Sequence, residues 1–339
     1  MTYSVGGLIQ AADYNTFQQN LNIIWGPGSQ DSGWGQALLS AVNVDGVVAA
    51  TNWASLVNTL TTAGNQTATT LTSRTAPVSG NVIAILANVA TDISNVTTRR
   101  GFATSSGTIS GTWTGNISKT TQTLNVFGPW TITWNHDVTF PSADAARYFW
   151  NAGGIVRLDM SKTSTGQDMD ADWNTFVSEV GVLYLTGRVN NATQAIAGIN
   201  YTGFTRIGGV ITPIPPNPNQ TTTGWYQIPY NPATPSTDYT LFQLNNSVSP
   251  YTSSYIRLEV RKVAIGAPDA LRGLRFTTTW FQSDQGTTAT RISGGTATTS
   301  PYTTFGTAPT VMCRVIPPSI AQGLTDTWGT PVIDTGVSA

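Results

Sequence analysis

The spacing of apolar side chains changes character once along this chain, near residue 108, and that change limits the folds open to it. Before it, apolar residues recur at helical intervals: Tyr14, Phe17, Leu21, Ile24, then Trp53, Leu56, Val57, Leu60. Such spacing lines up side chains on one helix face. Each stripe follows a β-branched residue and an Ala-Ala pair, Ala11-Ala12 and Ala49-Ala50. Asp13 and Thr51 stand where N-caps are expected, and Gly26 and Gly64 where the helices should stop. The matching positions read as a duplicated helical unit. A third helix is predicted from Asn81 to Arg99, with Val82, Ile85, Leu86, Val89, Ile93 and Val96 on one face. Arg99 and Arg100 suit its C-terminal dipole.

Beyond a Thr/Ser/Gly stretch, Thr104 to Gly115, short β-branched and aromatic runs alternate with Gly, Pro and Asn clusters. These predict strands at Trp130–Thr139, Ile155–Met160, Val182–Val189, Gly198–Arg206, Gly224–Ile228, Leu241–Asn245, Ser254–Lys262, Leu274–Trp280 and Thr310–Val315. Two short helices, Ser142–Trp150 and Asp170–Val180, interrupt them. The Pro-rich run Ile211 to Asn219 reads as an extended loop or arm. The expected class is α+β: a helical domain over 1–108, a mainly antiparallel, β-sandwich-like domain over 109–316, and an extended tail over 317–339.

Composition then restricts function. Charged residues make up 10% of the chain, against about 25% in ordinary domains. Net charge is −1 and there is no basic block, so binding nucleic acid through its phosphates is not expected. Apolar runs such as Val82 to Val89 are too short to span a membrane. No basic segment precedes an apolar one at the N-terminus, so no secretory leader is expected. The single cysteine, Cys313, has no intrachain partner. A surface of Thr, Ser, Asn, Gly and Gln does little to repel other copies, which points to life inside an assembly.

Chemistry has few candidates. His136-Asp137 lies in a predicted strand with no nucleophile assigned beside it, so a strand histidine is the favoured reading. Asp168, Asp170, Asp172 and Glu179 match calcium-loop positions 1, 3, 5 and 12, but Trp173 stands where that loop needs Gly. A helix start with acids at its positive end explains them better. The aromatic cluster Trp130, Trp134, Phe140, Tyr148, Phe149, Trp150 fits a core more readily than a sugar platform. The loop Gly26 to Gln36 lacks the Gly-Lys-Ser/Thr of a phosphate loop. Neither catalytic residues nor cofactors nor metals are therefore expected.

The segment Trp130 to Lys162 resembles virion structural proteins of tailed bacteriophages, those of cyanobacterial and other aquatic phages in particular. Its most specific part is Ala146-Arg147-Tyr148-Phe149-Trp150-Asn151-Ala152-Gly153-Gly154. The opening follows the same pattern: an Asp13-Tyr14-Asn15 helix, a Gly33-Trp34-Gly35-Gln36 loop and an Asn52-Trp53 helix. The resemblance implies a non-enzymatic tail, fiber, baseplate or neck component, assembled in the host cytoplasm and residing in the virion. The implied partners are copies of itself, as trimers or hexamers, and other virion proteins. Tyr14, Phe17, Trp34, Trp53 and Leu56 are the interface candidates by which the helical domain would dock or oligomerise. The alternative is a receptor- or carbohydrate-binding module of a tail fiber that holds a host surface glycan through aromatic loops such as Trp225-Tyr226 and Tyr251–Tyr255.

Overall fold

Helix α1 (Ala11–Trp25) and helix α2 (Ala50–Gln66) carry the two predicted stripes. The computed structural model describes residues 11–29, 32–43, 46–79, 88–106, 110–112, 130–163, 168–187, 193–196, 199–202, 205–207, 224–225, 238–246, 253–263, 272–283, 290–293, 296–299 and 309–338. The apolar stripes turn inward. Tyr14 meets Trp53 edge-on, with ring centroids 5.3 Å apart, and Phe17 lies 6.2 Å from the same indole. Phe17, Leu21, Trp53 and Leu56 are all buried, and α3 (Val89–Thr98) adds Val89, Ile93 and Val96 to the same core.

Three local expectations need correction. Asp13 lies in the first turn of α1, which includes Ala11. Thr51 is inside α2; Ala49 precedes the helix, and its N–H is taken by the Asn52 side chain at 3.0 Å. An Asn at the third helical position thus does the work assigned to Thr51. Gly26 does follow the end of α1, but Gly64 lies within α2, where a Cβ would come within 2.5 Å of Leu71. Its role is close packing. The first half of the third predicted helix, 81–87, falls outside the described residues.

The described residues of the remainder form α4 (Ala143–Asn151), α5 (Asp168–Val180) and fifteen strands. In chain order these are β1 (Ser110–Thr112), β2 (Trp130–Thr139), β3 (Ile155–Ser161), β4 (Leu183–Thr186), β5 (Thr193–Ile196), β6 (Ile199–Thr202), β7 (Thr205–Ile207) and β8 (Gly224–Trp225). There follow β9 (Tyr239–Asn245), β10 (Tyr255–Val263), β11 (Gly273–Gln282), β12 (Thr290–Ser293), β13 (Thr296–Thr299), β14 (Thr310–Ile316) and β15 (Val332–Ser338). One sheet runs β1-β14-β3-β4-β7-β8 and a second runs β15-β2-β11-β10-β9; β5-β6 and β12-β13 are separate hairpins. All pairings are antiparallel. The class is α+β, with helices first and antiparallel sheets after.

Strand β2 alternates as a half-buried strand must. Trp130, Ile132, Trp134, His136 and Val138 face the core, while Thr131, Thr133, Asn135, Asp137 and Thr139 face outward. Helix α5 lays Trp173 into this face. Its indole stacks on Trp280 at 5.3 Å and donates to Gln282 Oε1 at 2.6 Å. One apolar cluster runs from Tyr14 through both sheets to Trp328. The segment expected as an extended tail contains a turn at Ile320–Gly323 and packs against the rest of the chain. Leu324 and Trp328 are buried, and β15 is the edge strand beside β2. Asp334 and Gly336, residue types depleted in strands, stand between its β-branched residues and hide the strand from pattern reading.

Candidate functional site

Sequence reading singled out His136-Asp137, and β2 separates the two. His136 is fully buried, and its Nε2 lies 3.3 Å from the Val311 carbonyl on β14. Burial holds the imidazole down at about 4, against the weaker upward pull of that carbonyl and of Asp137. Asp137 projects from the opposite face and accepts two hydrogen bonds from Arg275, each 2.6 Å. Neighbours on a strand point to opposite faces, so this pair does not form a catalytic dyad.

The calcium-like spacing falls on α5. Asp168 begins that helix, and Trp173, the sixth position, is a buried helical residue. A calcium loop needs a sharp turn there; a continuous helix gives none. The side chains of Asp168 and Asp170 lie outside the described residues, while Asp172 is half-buried and Glu179 exposed. Among the described residues no group of three or more His, Cys, Asp or Glu side chains could hold a metal ion, and no helix is long and apolar enough to cross a membrane. Of the aromatic cluster, Trp130, Trp134, Phe140 and Phe149 are core, with Tyr148 and Trp150 packed against it. Tyr226, Tyr251 and the Pro-rich run lie outside the described residues.

The five interface candidates lie in the core of the single chain. Tyr14, Phe17, Trp34, Trp53 and Leu56 are each at most 2% exposed within the single chain. Their apolar surface is covered by the chain's own helices and sheets.

What the structure assembles instead is a junction of the two sequence motifs. The Trp34 indole donates to the Asn151 carbonyl at 3.0 Å, and Asn151 donates back to Gly33 at 3.3 Å. Arg147 donates to the carbonyls of Ser32, at 2.9 Å, and Pro27, and pairs with Asp144 at 2.7 Å. Gly35 is required by this contact: its φ is +70°, and a Cβ would come within 2.4 Å of the Tyr148 ring. Gln36 then ties the loop to the C-terminal segment. Its amide donates to the Thr325 carbonyl at 2.9 Å, and its oxygen accepts from Thr325 N–H at 2.8 Å and Oγ1 at 2.6 Å. Thr327 Oγ1 donates to the Trp34 carbonyl at 2.7 Å. Below this, Gln66 at the end of α2 bridges the carbonyls of Thr104 and Ala152, both at 2.8 Å.

Sequence reading foresaw the reach of Arg147 to a carbonyl but missed Gln36 and Gln66. No local signal marks them, because their partners lie far along the chain. Also missed was the ion pair of Asp92 with Arg74, at 2.5 Å and almost wholly buried. An open, polar groove beside it is lined by Ala68, Thr69, Thr70, Asn95, Thr98 and Arg99. Comparison with known protein families, with curated proteins and with solved structures finds no match for this chain.

Proposed function

We propose that this chain is a non-enzymatic structural component of a tailed-phage virion, acting in a tail, baseplate, fiber or neck substructure through contacts with its own copies and neighbouring proteins. The observation that carries the reading is the junction. The Gly33-Trp34-Gly35-Gln36 loop and the Ala146–Gly154 segment, which carry the resemblance to virion proteins, meet each other in space. Their polar side chains hold backbone carbonyls of distant segments. A motif used this way fixes shape, and a rigid subunit is what a repeated assembly needs. The sparse charge of the chain supports the same reading, since neutral surfaces associate without strong mutual repulsion. Mass spectrometry of purified virions, with immunogold labelling by an antibody to the recombinant chain, tests it. Several copies per particle at one location are expected; absence from purified virions would overturn it.

A second reading, glycan binding at a fiber tip, is favoured by one surface. Tyr255 and Phe281 stack at 5.0 Å on the outward face of the second sheet, with Arg257 over the Tyr255 ring and Gln243 and Asn245 alongside. Stacked, half-exposed rings flanked by amides suit a sugar face. A glycan array probed with the full chain separates the readings: retention on a glycan, lost in Tyr255→Ala, would favour this second one.

A further inference from the structure

We infer that the edge of β15 with no second strand beside it among the described residues is a homotypic docking strand, which pairs antiparallel with β15 of a second copy about a two-fold axis at Thr335. The argument begins with the direction of backbone groups. Phe140 N–H donates to the Arg272 carbonyl at 2.9 Å, just beyond the Thr139–Gly273 pair of the β2–β11 ladder. In an antiparallel strand, successive residues turn their N–H and C=O to opposite sides. Even-numbered residues of β2 therefore bond to β11, and odd-numbered ones bond to β15. The odd residues Thr133, Asn135, Asp137 and Thr139 stand opposite Ser338, Gly336, Asp334 and Val332. It follows that Ile333, Thr335 and Val337 direct their N–H and C=O away from β2.

That edge has one strand neighbour among the described residues, β2, and Val332 at its start is 59% exposed. From Val332 to Ser338 there is no Lys, Arg or Pro, the residues that commonly protect a free edge. The three outward residues are spaced symmetrically about Thr335. Rotated onto itself, the strand sets Ile333 opposite Val337, Thr335 opposite Thr335 and Val337 opposite Ile333. Those three pairs would form about six backbone hydrogen bonds, two per pair. Between them, Asp334 stands opposite Gly336 of the second copy. The only charge on the strand thus meets the residue with no side chain, and no like charges face each other. This self-complementarity commits the edge to a second copy. The resulting interface is isologous and joins the two β15-bearing sheets into one continuous sheet. It makes a dimer, or supplies the two-fold axes of a dihedral hexamer; a simple trimer does not use it.

The inference deepens the assembly reading but stands on the edge alone. Full-length Thr335→Cys, mildly oxidised with copper phenanthroline, tests the register. Facing Thr335 positions would have Cα atoms about 5.5 Å apart, within disulfide range of about 4.4–6.8 Å. Two copies of Asp334 would lie roughly 8–9 Å apart, beyond it. Cys313 is fully buried and does not compete. Disulfide-linked dimer is expected for Thr335→Cys and not for Asp334→Cys; equal crosslinking of both, or none of either, would overturn the inference. Should Thr335→Cys fail to fold, sedimentation of Gly336→Asp and Gly336→Lys decides. Asp would face Asp334 and weaken the dimer, Lys would tighten it, and about a tenfold difference in dissociation constant is expected; equal constants overturn the pairing. A dimer that never enters virions would sink the virion reading alone. A virion protein whose Thr335→Cys form never crosslinks would sink the edge alone.

Discussion

Helices α1 and α3 each hold an extended segment against one face, and they do it with opposite chemistry. Helix α1 uses neutral amides. Asn15 donates to and accepts from Val42, at 2.8 Å both ways, and Asn22 does the same with Leu39, at 3.0 Å. Gln18 adds a bond to the Leu39 carbonyl at 2.6 Å. One amide meets both an N–H and a C=O, much as a neighbouring strand would. Helix α3 uses a carboxylate. Asp92 accepts from Thr72 N–H at 3.1 Å, but a carboxylate only accepts, and its buried charge needs Arg74. The amide solution is self-contained; the ionic one is a pair whose halves cannot be removed singly. In a chain with so few charges, the difference shows why Asn and Gln replace them: they fasten the backbone without placing charge inside it.

The sharpest way to break this comparison is to remove one half of the ion pair. Asp92→Ala leaves the Arg74 guanidinium buried without its carboxylate, and a loss of about 3–5 kcal/mol is expected in urea unfolding. Adding Arg74→Leu should recover part of that loss. If the double variant is as unstable as the single one, the stranded charge is not the cause.

Acid gives the next largest effect, because it puts a charge where the core has arranged none. His136 has a folded pKa of about 4 and an ordinary one of 6.5. Below pH 6.5 the unfolded chain binds a proton that the folded chain resists. Stability from this source is therefore complete above pH 6.5 and is lost progressively as pH falls to 4. The loss should reach about 3 kcal/mol. The chain has one histidine, so subtracting the pH profile of His136→Gln isolates it. Identical profiles would show that the imidazole is not held neutral.

A smaller effect is expected from the amide side of the comparison. Asn22→Ala removes both bonds to Leu39 and should cost about 1–3 kcal/mol, with faster hydrogen exchange over 37–42 as the local signature. A cost equal to that of Asp92→Ala would erase the distinction between the two helices. The smallest belongs to the start of α2. Asn52→Ala loses the bond to the Ala49 N–H and should lower stability by about 0.5–1 kcal/mol, measurable as a small shift in Tm, while Thr51→Ala should change little.

These outcomes mark what could be read from the chain. Strand β2 and the Ser142 cap of α4 stand where the pattern put them, with Ser142 Oγ accepting from Ala145 N–H at 3.0 Å. Both follow from period and capping, which are local. The Thr51 cap failed because Asn52 competes for the same helix start from one residue further on. Gly64 was misread because a glycine that ends a helix and one that admits a neighbouring Leu look alike in sequence. The interface candidates were legible only in part: a large aromatic stripe states that it must be covered, and not by what. The junction of Trp34, Gln36, Gln66 and Arg147 had no readable signal beyond the two motifs that meet there, since the contacts join segments remote in sequence.

The tie between Gln36 and Thr325 also has a consequence in time. The two residues are 289 positions apart. A ribosome adding about 5–20 residues per second takes on the order of tens of seconds to deliver the second after the first. Throughout that interval helix α1 and its loop can pack locally and then against the Arg147–Asn151 segment, but Gln36 has no Thr325 to hold. Completion of the N-terminal third is thereby made to wait for the C-terminal segment, so a nascent chain interrupted before residue 325 would leave the Gln36 tie of its first motif unmade.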